Sequence, residues 1–301
     1  MTNTKPKKRK KLNAYSAFDY INIVFFIILG IIMIFPFWNV FVTSIVTEGE
    51  FYSTPFILWP KEVTFRWYEF IFANDKLITS FFVTVFVTVV GTIYSLFLTT
   101  TLAYGLSKKS LPGRNFFLTM IIITMFFDGG LIPYYMLIRN LGFVNKIWVM
   151  IIPTGVNVWY FTLIKSFFNQ IPVSLEESAK IDGASELRIF RSIILPLSKP
   201  TLATFALFYG VAYWNLWYPA MLYITDQKLF PLQLILRKII VQSDKPASLL
   251  QAYSQTAGTT VIFEEGVKMA TVMVATLPIV LVYPFLQKYF VKGIMLGSVK
   301  G

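Results

Sequence analysis

Six stretches of this chain are apolar, nearly free of charge and long enough to cross a lipid bilayer. Five of them contain no charged residue, at 20–47, 77–107, 147–164, 200–225 and 269–287, and the sixth, at 115–138, is interrupted only by Asp128. A helix needs about 20 apolar residues to cross the hydrocarbon core, and each stretch is close to or above that length. The sequence therefore predicts six transmembrane helices, over residues 20–46, 78–105, 116–138, 147–165, 201–225 and 267–288.

The composition agrees with an all-α membrane protein and excludes several other classes. Of the 301 residues, 56% are hydrophobic and only 14% are charged, against about 25% charged in ordinary soluble domains. Cys and His are absent from the sequence, which excludes disulfide frameworks, thiolate or imidazole metal sites, and Cys or His nucleophiles. We expect no metal or cofactor bound by this chain, and no nucleic-acid partner.

The basic residues predict how the spans are oriented. If both termini are cytoplasmic, the inner segments hold 17 basic and five acidic residues, a surplus equal to the whole net charge of +12. Short cytoplasmic loops retain Lys and Arg, so this arrangement is the predicted one. It divides the chain into a basic cytoplasmic arm over 1–17, a six-span domain over 18–290 and a cytoplasmic tail over 291–301.

The predicted inner loop over 166–199 has the pattern of two short helices around a glycine. Ser174 and Glu177 have the spacing of a capping box, which predicts a helix from about 175 to 181, and Gly183 suits a left-handed helix stop. A second helix is predicted to start at Ser185 and to end at Leu195–Pro196, because the residue before a proline avoids the α region. Its apolar face would consist of Leu187, Phe190 and Ile194.

This loop resembles the EAA loop of type I ABC importer permeases. The family pattern is Glu-Ala-Ala, three residues, Gly, nine residues, then Ile-x-Leu-Pro, and every spacing is kept here, with Ser178 as the one departure. The matching positions are Glu177, Ser178, Ala179, Gly183, Ile193, Leu195 and Pro196. Stretches at 126–138, 214–217 and 287–301 resemble the oligosaccharide-importer branch, in particular the smaller permease of the maltose system.

The resemblance implies a division of labour in a bacterial plasma membrane. The chain would pair with a second homologous six-span permease, two cytosolic ABC ATPase subunits would drive the pair, and an extracellular solute-binding lipoprotein would deliver a sugar. ATP and Mg²⁺ would bind only the ATPase subunits, since the sequence has no phosphate-loop motif. The matching positions of the loop would form the joint with the ATPase, with Asp182 and Ala184 beside them. The outer loop at about 242–265 would probe the binding protein's sugar cleft, and the tail at 293–301 would reach the ATPase.

A sugar path requires aromatic planes for ring stacking beside amides and hydroxyls. Predicted spans four and five offer such residues: Asn157, Tyr160, Tyr213, Trp214, Asn215 and Trp217. Packing between spans and an interfacial aromatic belt would explain the same residues. The role of Asp128 also has two interpretations. It either lines the path or contacts the second permease, as charges within spans usually do, or it is solvated at the outer interface.

An outer segment has apolar residues at helical spacing between Leu232 and Ile240. It is predicted to pack on the protein's own outer surface, and docking of an extracellular partner is the alternative. Two other functions remain open on the residues alone. A secondary transporter or channel for a small polar solute would need buried coupling charges and inverted repeats. A membrane-embedded glycosyl or phosphoryl transferase would need a clustered charged site.

Overall fold

The computed structural model describes residues 17–73, 75–241 and 263–298, and those ranges are helical, with one isolated bridge between Val46 and Val63 instead of any strand. The basic arm and the outer loop from 242 to 262 lie outside the described residues. The helices are α1 (Ala17–Thr43), α2 (Glu48–Ser53), α3 (Arg66–Phe72), α4 (Asp75–Ser107), α5 (Arg114–Phe126), α6 (Leu131–Asn140), α7 (Val158–Phe168), α8 (Val173–Ile181), α9 (Glu186–Ile189), α10 (Leu195–Leu197), α11 (Lys199–Trp214), α12 (Tyr218–Tyr223), α13 (Leu232–Val241) and α14 (Glu264–Ser298).

Helix α4 is the central element of the bundle. It packs against α7 and α11, and α11 packs against α14, which also contacts α1 and α3. The buried apolar residues form two clusters, one at each end of α4. We call these ends the Gly183 end, with residues 108–114 and 169–198, and the Trp217 end, with residues 44–73 and 215–241.

Three described helices are long and apolar enough to cross a membrane, at Phe18–Thr43, Asp75–Ser107 and Glu264–Val282. They correspond to the first, second and sixth predicted spans. Helix α14 continues past the predicted span boundary at 288 to Ser298, so most of the predicted tail prolongs this helix. Pro278 and Pro284 lie inside α14 without ending it, as is tolerated in membrane helices.

The third predicted span is not one helix. Helices α5 and α6 are separated at 127–130 and meet at an angle of 120°. Gly130 has a φ of +83°, which favours glycine, and its N–H donates a 3.1 Å hydrogen bond to Oδ1 of Asp128. The continuous helix expected over 116–138 is therefore corrected to a broken one, because hydropathy does not register this turn.

The fourth and fifth predicted spans are broken as well. Only α7, with 11 residues, is an α-helix in the fourth, and at 1.5 Å per residue it is too short to cross alone. In the preceding segment 147–157, Ile147–Met150 form one 3₁₀ turn, and the residues after it up to 157 are not helical. In the fifth, α11 ends at Trp214 and α12 begins at Tyr218. Among the described residues, length and composition support three spans. The number rises to as many as five if the bent pairs Arg114–Phe126 with Leu131–Asn140 and Glu186–Leu197 with Lys199–Trp214 each count as one.

Candidate coupling joint and solute path

Helix α8 begins earlier than the capping box predicts. Pro172 is its N-cap, with the extended ψ of 125° and no side-chain cap, so Ser174 already lies inside the helix. The predicted Ser174–Glu177 capping box is therefore wrong. Glu177 and Ser178 are exposed on α8, and Ala179 is half-buried against the cluster at the Gly183 end.

Gly183 ends α8 in the predicted left-handed conformation, with a φ of +80°. The Ala184 N–H donates a 2.9 Å bond to the Ala179 carbonyl, and the Gly183 N–H donates one of 3.0 Å to the Lys180 carbonyl. These two bonds form a Schellman motif, which satisfies the last carbonyls of the helix. Asp182 is the exposed C-cap, and four residues, 182–185, separate α8 from α9.

The second helix starts where expected but continues past its predicted end. The Ser185 hydroxyl caps α9 by accepting from the Arg188 N–H at 3.4 Å. Residues Phe190–Ile194 form a π-helical turn, and α10 then runs through Pro196 to Leu197. The wider turn pairs the Leu195 N–H with the Phe190 carbonyl. The predicted end at Leu195–Pro196 is wrong, since this turn accommodates the missing N–H of proline.

The apolar face of this loop divides between the bundle and its surface. Phe190 and Ile194 are buried as predicted, and Ile189 joins them, with Ile193 and Leu195 half-buried. Leu187 is instead 74% exposed, and Ile181 on α8 is 86% exposed. Of the predicted apolar face, Phe190 and Ile194 therefore pack into the bundle, whereas Leu187 is not covered by the described residues.

A set of ion pairs joins this loop to the end of α4. Lys108, just past α4, contacts the carboxylate of Glu176 and lies 3.9 Å from that of Glu186. The Lys180 ammonium lies 2.6 Å from Glu186, and the Tyr104 hydroxyl donates a 2.9 Å bond to the same carboxylate. The hydrogen bond from Lys180, with smaller contributions from Tyr104 and Lys108, lowers the pKa of Glu186, and the same pair raises the pKa of Lys180. The sequence shows the cluster of acids but not these partners, which lie 68 and 82 residues away in the chain.

Hydroxyl pairs connect α4, α11 and the irregular part of the fourth span. Ser95 and Tyr213 are 2.7 Å apart through their hydroxyl oxygens, as are Thr99 and Tyr209. The Tyr213 hydroxyl donates to the Ile151 carbonyl at 3.3 Å, and the Tyr209 hydroxyl accepts from the Asn157 N–H at 3.1 Å. Non-helical backbone at membrane depth must be satisfied within the protein, and these tyrosines do this. Nothing in the local pattern around 209–213 signals that role.

Several residues of the predicted sugar path are structural. Tyr213 is 3% exposed and Trp214 7%, and the Trp214 indole donates a 2.9 Å bond to the Ala275 carbonyl. Their rings and polar atoms pack within the bundle, and their place on the sugar path stays a prediction. The Asn157 side chain caps α7 by accepting from the Tyr160 N–H at 3.1 Å. The Tyr160 ring packs on Tyr209, with centroids 5.0 Å apart.

Asp128 borders a cavity of about 300 Å³ between the α5–α6 break and α12. Its walls combine aromatic rings, hydroxyls and apolar side chains: Tyr134, Thr154, Tyr218, Tyr223, Ile138 and Leu222. Asn215 and Trp217 lie nearby at the α11–α12 break, where Asn215 is exposed and Trp217 is half-buried. The structure thus brings three of the predicted path residues to one end of the bundle.

Helix α13 packs onto this end, as its apolar spacing predicts. Leu232, Ile235 and Ile239 are buried, and the Leu232 N–H donates a 2.8 Å bond to the Thr84 hydroxyl of α4. The prediction that this face packs on the protein itself is confirmed. Its polar side faces the α11–α12 break: Gln233 donates a 3.3 Å bond to Asn215, and the Arg237 guanidinium stacks on Trp217.

Comparison with known proteins decides the family. No family model matches the chain. The polygalacturonan/rhamnogalacturonan transport system permease protein YtcP of Bacillus subtilis strain 168 is 43% identical over 284 residues, which cover 94% of this chain and 98% of that protein. The chain belongs to the ABC transporter permease family. Protein LplC of the same organism is 45% identical over 284 residues, which cover 94% of this chain and 95% of that protein.

A solved structure agrees with this family assignment. One chain of a bacterial ABC transporter that imports the acidic polysaccharide alginate superimposes with a TM-score of 0.85 at 30% identity, covering 92% of this chain and 99% of that one. As an ABC permease the chain is a membrane transport subunit and not an ATPase. The resemblance drawn from the EAA spacing is confirmed at family level, and the secondary transporter, channel and transferase alternatives fall outside this family.

Proposed function

We propose that this chain is the permease subunit of a bacterial plasma-membrane ABC importer for an oligosaccharide. Its Gly183 end and both of its termini face the cytoplasm. Its Trp217 end receives the sugar from an extracellular solute-binding lipoprotein. Six crossings result if α7 and the irregular 147–157 segment together complete the fourth span. A second homologous permease and two cytosolic ATPase subunits, which bind ATP and Mg²⁺, complete the complex.

The joint at the Gly183 end is the observation that carries this proposal. Lys108, just past α4, pairs with Glu176 of α8 and lies 3.9 Å from Glu186 of α9, and through these contacts a displacement of the loop would reach the central helix. The exposed Ile181 and Leu187 flank Gly183 and offer apolar contacts to a cleft on the ATPase. Glu177, Ser178 and Asp182 lie exposed on the same surface. Five further residues shape or support this joint and belong to the proposed coupling set: Ala179, Ala184, Ile193, Leu195 and Pro196.

Oligosaccharide import is supported by the named relatives and by the Trp217 end. YtcP is named for polygalacturonan and rhamnogalacturonan, and the solved relative imports alginate. The cavity beside Asp128 combines tyrosine rings with hydroxyl and carboxylate groups, a combination that suits sugar binding. None of the most apolar part of α1 is buried within this chain. Its exposed side chains suit contact with lipid and with the second permease.

Site-specific crosslinking tests the coupling joint, because the chain contains no cysteine of its own. We expect Ser178→Cys, alkylated with benzophenone-maleimide, to photocrosslink to the ATPase subunit in membranes that carry the whole complex. Ser110→Cys, an exposed serine on the neighbouring 108–114 loop, is the matched control and should crosslink far less. Absence of the Ser178→Cys product, in a complex that co-purifies with its ATPase, would overturn the assignment.

A further inference from the structure

We propose that Arg237, stacked on Trp217, is a specificity residue that binds the carboxylate of an acidic sugar at the entrance of the path. This inference rests on the proposed function and names the class of its substrate. The chain would then import oligosaccharides that carry uronate units in preference to neutral ones.

The geometry holds the guanidinium group in one orientation. Gln233 and Arg237 are one helical turn apart on α13, and both reach the break between α11 and α12. The Cζ atom of Arg237 lies 3.8 Å from the centroid of the Trp217 ring, and Gln233 Nε2 donates to Asn215 Oδ1 at 3.3 Å. A guanidinium held over an aromatic ring by cation–π attraction still has N–H groups available for hydrogen bonds.

The charge of Arg237 is unused within the residues described. Lys108, Lys180 and Lys268 each lie within 4.0 Å of a glutamate, whereas Arg237 has no such neighbour in the described ranges. The side chain of Arg237 is exposed, so a solute can reach it. A planar guanidinium binds carboxylates through two parallel hydrogen bonds, and this makes a carboxylate the best-matched ligand.

The neighbours of Arg237 favour a sugar carboxylate over a simple anion. Asn215 and Gln233 provide amide groups that hydrogen-bond ring hydroxyls, and Trp217 provides a partly exposed aromatic surface. Tyr218, in edge contact with Trp217 at 5.5 Å, also lines the Asp128 cavity. An acidic sugar unit at Arg237 would therefore lie beside Tyr218, at the edge of that cavity.

Lys238 provides a matched control. It is adjacent in sequence and carries the same charge, but its ammonium group lies 3.9 Å from the centroid of the Phe230 ring, and the side chain is half-buried. Removing its charge changes the net charge of the end of the bundle as much as removing that of Arg237. It leaves the Trp217 stack intact.

Uptake by the whole complex in proteoliposomes tests the inference, with labelled trigalacturonate and its carboxyl-reduced neutral counterpart as probes. We expect the wild type to prefer trigalacturonate. Arg237→Gln should lower that uptake about tenfold, the effect of losing a charge-assisted hydrogen bond, and leave neutral uptake unchanged. Arg237→Lys should restore part of it, and Lys238→Gln should change neither probe.

Four results would overturn the inference. Equal losses for both probes in Arg237→Gln would mean that Arg237 docks the binding protein or supports the fold, and no loss would mean that it is idle. A wild-type complex that takes up only the neutral probe would refute the acidic class and leave oligosaccharide import intact. A complex that takes up neither sugar would refute the proposed function, and the inference with it.

Discussion

The hydroxyl of Tyr104, in the last turns of α4, donates a 2.9 Å hydrogen bond to the carboxylate of Glu186 at the start of α9. The ring of Tyr104 also packs on Phe190, with centroids 4.7 Å apart. Tyr104 therefore connects the central helix to the second half of the loop in two ways. One is the hydrogen bond to Glu186, and the other is the ring contact with Phe190. This is how motion of a surface loop can reach the bundle without being absorbed by the connection.

Tyr104→Phe removes the polar contact and keeps the ring. We expect a partial loss of coupling, seen as more ATP hydrolysed per sugar imported by the reconstituted complex, because the α8–α9 loop is held less firmly. Tyr94→Phe, another tyrosine of α4, is the control. Unchanged coupling in Tyr104→Phe would show that the Phe190 contact and the Lys108 ion pairs suffice.

The Glu186–Lys180 pair predicts a simple pH dependence. The stabilisation from Glu186, whose pKa is lowered, is present above its unfolded pKa and is lost as pH falls through the folded value. That from Lys180, whose pKa is raised, is present below its unfolded pKa and is lost as pH rises through the folded value. The protection of residues 173–189 from amide exchange in wild type relative to Glu186→Gln should thus stay constant from about pH 5 to pH 9.

This pair is exposed to solvent, so its contribution is small and salt-sensitive. Glu186 is 55% exposed and Lys180 50% in their side chains. Raising the ionic strength should reduce the difference between wild type and Glu186→Gln at neutral pH. A step in the exchange ratio near pH 7 would contradict the assignment of Glu186 and Lys180 as the titrating groups.

Gly183 is predicted to be required for its backbone conformation alone. A Cβ at this position would meet nothing within 4 Å, yet its φ is +80°. Gly183→Ala should destabilise the loop by about 1–2 kcal/mol and speed amide exchange in α8 accordingly. Gly183→Asn should cost less, because asparagine tolerates the left-handed region. Equal effects of the two substitutions would mean that the glycine contacts the ATPase directly.

Gly91 is predicted to be required for space. A Cβ there would lie 2.7 Å from the ring of Tyr213, which is fixed by its hydroxyl bonds. Gly91→Ala should therefore lower the free energy of unfolding by about 1–3 kcal/mol, seen as a lower melting temperature of the complex. Gly105→Ala lies on the same helix with nothing within 4 Å, and it should be neutral or slightly stabilising. Equal stability of the two variants would contradict the packing described.

Asp128 can be tested for its charge separately from its turn. Asn retains an oxygen that accepts from the Gly130 N–H, whereas Ala does not. If the carboxylate contacts sugar hydroxyls, Asp128→Asn should reduce uptake several-fold while leaving the amount of assembled complex unchanged, and Asp128→Ala should also lower that amount. Normal uptake by Asp128→Asn would remove this charge from the mechanism.

The sequence predicts the joint better than it predicts the spans. The EAA spacing locates the loop and Gly183, because helix stops and motif spacings depend on neighbouring residues. The breaks at 127–130, 147–157 and 215–217 are missed, because hydropathy measures only whether a segment tolerates lipid. Whether such a segment is helical depends here on partners such as Tyr209, 52 residues from the Asn157 N–H that it satisfies. The Lys108 and Tyr104 contacts are equally distant in the chain.

The dependence of the fourth span on tyrosines from α11 has a consequence for biogenesis. When residues 147–157 leave the ribosome, the hydroxyls that satisfy Ile151 and Asn157 have not yet been synthesised, since they follow 62 and 52 residues later. Exposed carbonyl and amide groups are costly in lipid. If the fourth segment crosses the bilayer as proposed, we expect it to wait at the insertion machinery until the fifth arrives, so that the two enter as a pair.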